Sequence, residues 1–345
     1  MIPGVVLGGT GGVWRVRADD GRIVEAALRG RLKKHEDFKA REARLAREGN
    51  RGAAARVRGR TRVDTRSAEE VEAAPQKLAV GDAVQLEHDA ERDAWAIATI
   101  EPRRSQLARR TPGGGYGERI VAANVDQVLV VFAAANPDPH PRMLDRFLVI
   151  AESNGLSAHV VINKAELVGT ARVRERFADY AAAGYVLHVT STVSGDGLAP
   201  LRDALAGRTT ALSGPSGVGK SSLMNAMFPG LALRVGEVSA SVNKGRHTTV
   251  GALLHPLPGG GFVVDTPGLR EVGMWGLEPE HLDEHFPEFR PYRLECRFAD
   301  CTHRVEPGCA VREALEAGRI GTARYESYVK IRGELEADVP PWEWS

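Results

Sequence analysis

Gly214-Pro215-Ser216-Gly217-Val218-Gly219-Lys220-Ser221 meets every fixed position of the pattern G-x-x-x-x-G-K-[ST], between an apolar Ala211-Leu212 and a helix-like run from Ser222 to Phe228. Its glycines let the backbone wrap so that the N–H groups face a β-phosphate, and the helix that starts there adds the positive end of its dipole. Lys220 would bridge the β- and γ-phosphates, and the Ser221 hydroxyl would hold Mg²⁺. A plain glycine turn has no reason to end in Lys-Ser at this spacing. Pro215, Ser216, Val218 and Ser222 are taken with the loop as nucleotide-binding positions. A loop of this kind joins a strand to a helix, so the segment predicts an α/β domain around it.

Working downstream, the strand-like Gly261-Phe262-Val263-Val264 runs into Asp265-Thr266-Pro267-Gly268. A carboxylate at a strand tip followed by glycine suits a second switch: Asp265 would hold Mg²⁺ through a water, and the Gly268 N–H would sense the γ-phosphate. Between the two motifs lies Asn243-Lys244-Gly245-Arg246-His247-Thr248-Thr249, a polar loop with two hydroxyls, of which Thr249 is chosen as the Mg²⁺ ligand of a first switch.

Upstream, Asn163-Lys164-Ala165-Glu166 follows the strand His159-Val160-Val161-Ile162 and resembles the N-K-x-D element with which GTPases read guanine. An acid there accepts both N1–H and N2–H of guanine, a donor pair that adenine lacks. Asn163 would meet the base edge and the Lys164 stem would pack over the ring; Glu166 is one methylene longer than the usual Asp. Ser191, after Val186 to Val189, is the candidate for a last base-contacting loop. In ordinary GTPases the phosphate loop comes first, whereas here the base reader precedes it. The same sheet results if the chain is circularly permuted, its old termini joined and a new cut made elsewhere.

The surrounding chain divides by texture. Residues 1–103 show short alternating strands with glycine turns, among them Val13-Trp14-Arg15-Val16-Arg17, Val80 to Leu86 and Ala94 to Ile100. This predicts a five-stranded oligonucleotide-binding (OB) barrel that binds RNA. A segment from about 36 to 76 interrupts it. Within that segment, Lys39 to Arg66 holds ten Lys/Arg and three Asp/Glu, so this stretch carries +7 in a chain whose net charge is +1. It is either a solvated insertion or an arm that holds nucleic acid through phosphates. The linker Pro102 to Gly113, with four arginines, marks the boundary. Residues 104–275 alternate buried strands with amphipathic helices, the pattern of a parallel sheet covered on both faces. Residues 276–345 form a small third domain ending in a helix from Gly321 to Ala337.

That third domain holds all three cysteines of the chain, in Cys296-x4-Cys301-x-His303-x5-Cys309. Three thiolates and an imidazole close a tetrahedral Zn²⁺ shell with no open position, so one structural zinc is expected. Arg290, Arg293, Arg297, Arg304 and Arg312 would give this knuckle a basic face suited to RNA phosphates. An odd cysteine count argues against a disulfide framework and for a reducing cytosol. The longest apolar run, Val128 to Ala135, has eight residues. A membrane helix needs about 20, and the N-terminus lacks a signal-peptide pattern, so neither a membrane association nor secretion is expected.

A barrel, a permuted GTPase and a Cys-Cys-His-Cys module in this order resemble the bacterial family of small-ribosomal-subunit biogenesis GTPases, RsgA (YjeQ/EngC). The matching residues are Val80-Gly81-Asp82, Asn163-Lys164, Gly214 to Leu223, Gly245-Arg246-His247-Thr248-Thr249, Asp265 to Gly268 and Cys296 to Val311. The resemblance implies a cytoplasmic, subunit-stimulated GTPase. It would bind the 30S subunit and its 16S rRNA near the decoding region, check late maturation and leave after hydrolysis, with other assembly factors as further partners. Glu166 and the 36–76 insertion depart from the family pattern. Leu269 occupies the place of the usual water-orienting glutamine, and His247 matches the residue the family offers instead as the catalytic side chain. Nothing calls for an obligate dimer, so a monomer is expected. Two other readings use the same residues: a P-loop ATPase or kinase acting on a small molecule, which would use ATP as readily as GTP, and a non-catalytic RNA-binding scaffold, which would show no turnover.

Overall fold

The computed structural model describes residues 1–29, 77–110, 118–231, 233, 252–265 and 277–337. The basic insertion, the first switch with His247 and Thr249, and Gly268 lie outside the described residues. The chain falls into two compact units, Met1–Arg103 and Arg104–Ser345.

In the first unit β1 (Ile2–Thr10), β2 (Val13–Ala18), β3 (Ile23–Leu28), β4 (Ala83–Asp89) and β5 (Ala94–Ile100) close into a barrel in the order β1-β2-β3-β5-β4. Closure leaves no open sheet edge. β3 and β5 run parallel, and β1 pairs antiparallel with both β2 and β4. The alternation read from the sequence points Val6, Val16, Ala26, Val84, Leu86 and Ile97 into one core. A register shift between Val6 and Gly8 bends β1 so that it can pair on both sides. Asp82 sits at the start of β4. Its carboxylate accepts from the Ala79 N–H at 2.7 Å and from Arg103 Nε at 2.6 Å, which ties the chain entering the barrel wall to the chain leaving it.

The second unit opens with a hairpin, β6 (Gln106–Arg110) and β7 (Glu118–Ala123). The stretch from Pro102 to Gly113, expected as a linker, instead contributes β6 to this hairpin, because its short apolar pair Leu107-Ala108 is buried despite the flanking arginines. There follow β8 (Gln127–Ala133), α1 (Pro141–Ser153), β9 (Ser157–Asn163), α2 (Thr170–Arg176), α3 (Ala178–Ala182), β10 (Val186–Val189), α4 (Leu198–Leu205), β11 (Thr209–Ser213), α5 (Lys220–Met227), β12 (Leu253–Pro256) and β13 (Phe262–Asp265). The six-stranded sheet has the order β10-β9-β8-β11-β13-β12, parallel except for the edge strand β12. β8 is buried at every position, as a central strand covered on both faces must be. Between β9 and β10 the chain forms two short helices, α2 and α3, that meet at Phe177, whose ring is buried. The chain ends in short 3-10 turns, the cysteine cluster, α6 (Ala310–Glu316) and α7 (Thr322–Glu336). Among the described residues no helix is long and apolar enough to cross a membrane.

Candidate functional site

Five strands, β8, β9, β10, β11 and β13, are parallel, so their C-terminal ends meet along one edge of the sheet, where ligands of open α/β folds bind. The edge collects the candidate residues. β11 ends at Ser213 and turns at Gly214, whose φ is +126°; a Cβ there would lie 2.1 Å from the Val131 carbonyl of β8. Only glycine passes so close beneath the neighbouring strand. Pro215 to Gly219 then form the loop. Ser216 and Gly217 are exposed, Val218 is buried as its anchor, and Lys220, Ser221 and Ser222 begin α5 half-buried. The Lys220 ammonium lies against the loop's own carbonyls, 2.7 Å from Gly214 O and 2.6 Å from Pro215 O. Asp265 ends β13, the strand beside β11, so this residue of the second-switch motif lies at the same edge of the sheet.

The candidate base-reading tetrapeptide, Asn163 to Glu166, is hydrogen-bonded to this loop. Asn163, at the end of β9, is buried; its Nδ2 donates to Val218 O at 3.1 Å and its Oδ1 accepts from Thr190 Oγ1 at 3.2 Å. Lys164 has φ +60°. Its Nζ donates to Gly217 O at 2.8 Å and also bonds the Asn136 carbonyl. Ala165 N donates to Thr190 O at 3.0 Å, and Glu166 stands exposed in the short 3-10 turn Ala165–Leu167. Ser191 is buried after β10, where its hydroxyl accepts from Val193 N at 3.2 Å and Ser194 N at 3.1 Å, so it shapes the loop from within. Thr190 and Asn136 were not singled out from the sequence. Their only signal is their place after the parallel strands β10 and β8.

The cysteine cluster is assembled without regular structure. Cys296 Sγ lies 3.9 Å from Cys309 Sγ and 3.6 Å from His303 Nδ1, which is 3.4 Å from Cys309 Sγ. With Cys301 included, the four ligand atoms fall within 4.8 Å of one another. A tetrahedral zinc with bonds of about 2.0–2.3 Å separates its ligands by about 3.5–3.8 Å, so these residues fit the ion. Burial pushes the Cys301 thiol up to about 12 and raises that of Cys309, and a bound cation is the partner that favours thiolates at such buried sulfurs. His303 takes φ +61°, turning Nδ1 to the sulfurs and Nε2 toward Asp283 Oδ2 at 3.3 Å. Burial opposes ionisation of Asp283, but hydrogen bonds from His303 and Arg293 outweigh it and hold the carboxyl below its ordinary value. A carboxylate behind a ligating histidine fixes its ring and tautomer. Asp283 lies too far from the cysteines in the chain for a spacing rule to find it. Glu306 caps the loop by accepting from Thr302 N at 2.9 Å and from Arg304 N and Val305 N at 3.1 Å. Burial again opposes its ionisation, and hydrogen bonds, first from the Thr302 hydroxyl and then from backbone N–H groups including those of Thr302 and Val305, hold it down to about 2.

The basic face expected here is largely neutralised within the protein. Arg290 pairs with Glu152 at 2.6 Å, Arg293 with Asp283 at 2.6 Å and Arg304 with Glu336 at 2.8 Å. Arg297 lies over the Phe298 ring at 5.5 Å.

Comparison with known proteins agrees with this geometry. The family described as RsgA GTPase matches residues 100–275. A Gemmatimonas aurantiaca protein named small ribosomal subunit biogenesis GTPase RsgA is 59% identical, over 96% of this chain and 97% of its own. A Bacteroides fragilis protein of the same name is 34% identical, over 97% of both chains. Among solved structures, YjeQ from Thermotoga maritima superposes with a TM-score of 0.73 at 31% identity, covering 97% of this chain and 98% of that one. YloQ, described as a circularly permuted GTPase, gives 0.69 at 25%, covering 99% and 96%. With the N-K-x-D-like tetrapeptide preceding the phosphate-loop motif in one sheet, and with a closed barrel and a Cys-Cys-His-Cys cluster elsewhere in the sequence, the chain belongs to the RsgA GTPase family.

Proposed function

We propose that this protein binds and hydrolyses GTP and acts in the biogenesis of the small ribosomal subunit, its turnover stimulated by the 30S particle. The observation that carries the reading is that the side chains of Asn163 and Lys164 both end on carbonyls of the phosphate loop, at Val218 and Gly217. These hydrogen bonds tie the candidate base reader to the phosphate loop, which supports a single site for a guanine and its phosphates.

In this reading the loop from Gly214 to Ser222 takes the phosphates on its N–H groups. The Lys220 ammonium exchanges the two carbonyls it now touches for β- and γ-phosphate oxygens. Ser221, Asp265 and Thr249 would hold Mg²⁺, which supplies charge neutralisation between the β- and γ-phosphates. Ala165 and Glu166 face the base, with Ser191 shaping the loop beside it. His247 orients the attacking water. Water adds to the γ-phosphorus as the bond to the β-phosphate oxygen breaks, giving GDP and phosphate. Gly268 and Thr249 lose their γ-phosphate contacts at that point, which releases both switches. Cys296, Cys301, His303 and Cys309 would hold one structural Zn²⁺. We place the barrel at 1–103, the GTPase domain at 104–275 and the zinc module at 276–345. We further propose a cytoplasmic monomer that contacts 16S rRNA.

The test is hydrolysis of GTP and ATP by the full chain, with and without 30S subunits, beside Lys220→Ala. Slow, GTP-selective turnover that rises with 30S and is lost in the variant is expected. Equal use of ATP would overturn the guanine assignment, and indifference to 30S would overturn the partner. Undiminished stimulation of His247→Ala would remove that residue from the mechanism.

A further inference from the structure

One arginine of α7 stands at the centre of its contact with α1, the helix that follows β8 of the sheet. Arg324 is buried, and its guanidinium serves two carboxylates from different parts of the unit. Nη1 donates to Asp145 Oδ1 on α1, while Nε donates to Glu288 Oε1 at 2.7 Å. The rings of Phe286, Tyr180 and Tyr185 surround the same cation at 4.7, 5.3 and 5.7 Å from their centroids. A forked donor enclosed by aromatic faces and held at both ends by buried carboxylates has little freedom to slide. Around it, α1 makes two more ion pairs with the C-terminal segment, Arg146 with Glu334 and Glu152 with Arg290.

Each side of this clamp leads to a functional centre. The residue after Arg324 donates its hydroxyl to the cysteine loop: Tyr325 Oη lies 2.6 Å from the His303 carbonyl, and one turn on Tyr328 Oη lies 3.0 Å from the Thr302 carbonyl. On the other side, α1 is entered from the turn at 134–140. Ala134 N there donates to Asn163 O at 2.8 Å, and the Asn136 carbonyl receives Lys164, which also holds Gly217 of the phosphate loop. α7 thus grips the metal loop with Tyr325 and Tyr328 and the helix that follows the base reader's support with Arg324.

We propose that Arg324 is a positioning residue of the nucleotide site, coupling metal occupancy of the cysteine cluster to nucleotide affinity through Asp145 and the 134–140 turn. The proposal rests on the nucleotide-site reading above. Coupling of this kind is reciprocal: bound nucleotide must also slow metal loss.

The experiment is a thermodynamic cycle on the full chain, measuring GTP affinity of wild type and Arg324→Gln, zinc-loaded and after stripping by a chelator, with the rate of chelator-driven zinc loss as second readout. In wild type, stripping is expected to weaken GTP binding about tenfold, and bound GTP to slow zinc loss by a similar factor. In Arg324→Gln, GTP binding is expected to be weak already and to change less than twofold on stripping. Arg324→Lys, which keeps the charge but not the fork, should restore part of the coupling. If wild type binds GTP equally with and without zinc, or if both proteins lose affinity by the same factor on stripping, the proposal is overturned. Should Arg324→Gln not fold, the double variant Tyr325→Phe/Tyr328→Phe removes both hydrogen bonds from α7 to the cysteine loop, and unchanged coupling there overturns the proposal as well. Lys220→Ala reports on the underlying site separately: GTP binding as tight as wild type in that variant would refute the nucleotide-site reading whatever Arg324 does.

Discussion

Asn163→Asp tests the contact that joins base reader to phosphate loop, because the change conserves shape and swaps one donor for an acceptor. Nδ2 of Asn163 points at the Val218 carbonyl, 3.1 Å away, and both residues are buried. A carboxylate would turn two acceptors toward each other out of reach of water. The side chain can recover the bond only by taking a proton. At pH 7 that costs about 1.36 × (7 − 3.9), or about 4 kcal/mol; at pH 5 it costs about 1.5 kcal/mol by the same relation. The introduced carboxyl would therefore have its folded-state pKa raised above the unfolded value. Its penalty is absent below about pH 4 and grows as pH rises toward that raised pKa. We expect the nucleotide-free variant to be about 3–4 kcal/mol less stable than wild type at pH 7 and about 1.5 kcal/mol less stable at pH 5. The assay is native-state hydrogen exchange of the β8, β9 and β11 amides at the two pH values, which reads opening of this sheet alone. A difference under about 1 kcal/mol at pH 7, or one that does not shrink at pH 5, would refute the reasoning.

Three further outcomes follow from the same kind of accounting. Asp283→Asn removes the charge behind His303 and should speed chelator-driven zinc loss about 10–100-fold with the four ligands intact, read by a zinc-sensitive dye; an unchanged rate would count against a supporting role. Arg103, 6% exposed against a fully buried Asp82, and Arg104, 72% exposed against Asp126, make a contrasting pair. In denaturant melts Arg103→Met should cost about 3–5 kcal/mol and Arg104→Ala under about 1 kcal/mol, because only the first strands a buried charge. His159 Nδ1 and His188 Nε2 meet at 3.0 Å in rings 6° from parallel; burial, then the neighbouring histidine, lowers His188 to about 4. A base with a depressed folded-state pKa loses stability as pH falls from about 6.5 to about 4. His188→Gln should therefore flatten melting temperature against pH in that window, an effect on the order of 1 kcal/mol once the side chain's partial exposure is discounted.

What could be read from the sequence was whatever chemistry confines to a short span. The phosphate loop and the cysteine cluster are legible because a backbone cradle and a four-ligand shell demand fixed residue types at fixed spacing. The barrel was legible from period-two alternation, and the parallel sheet from its uninterrupted apolar strands. The supporting residues were not. Asp283 reaches His303 from twenty positions away in the chain, and Arg324 reaches Asp145 across 179. Neither separation leaves a pattern, and in isolation each side chain reads as a solvated surface charge. The arginines near the cysteines failed in the opposite sense. Their composition suggested a basic face, but Glu152, Asp283 and Glu336, supplied from three separate elements, pair with three of them. Charge counted along a chain says little about field until the partners are placed in space.

The permuted order also explains why the last helix matters to the first strands of the sheet. In this chain β8, α1 and β9, which carry the base reader and its support, are made before the phosphate loop, and α7 is made after both. Asp145 on α1 meets Arg324 on α7, and the rings around the guanidinium, Tyr180, Tyr185 and Phe286, come from α3, the entry to β10 and the segment before the cysteines. An ion pair so enclosed gains its geometry only when every contributor is present, because a lone buried carboxylate or guanidinium is costly. The permutation places the helix that grips the cysteine loop at the end of the chain and returns it to the helix that follows β8. A domain order that looks like three separable modules in sequence becomes, in its second half, one closed circuit of contacts from the phosphate loop through α1 and α7 to the metal loop.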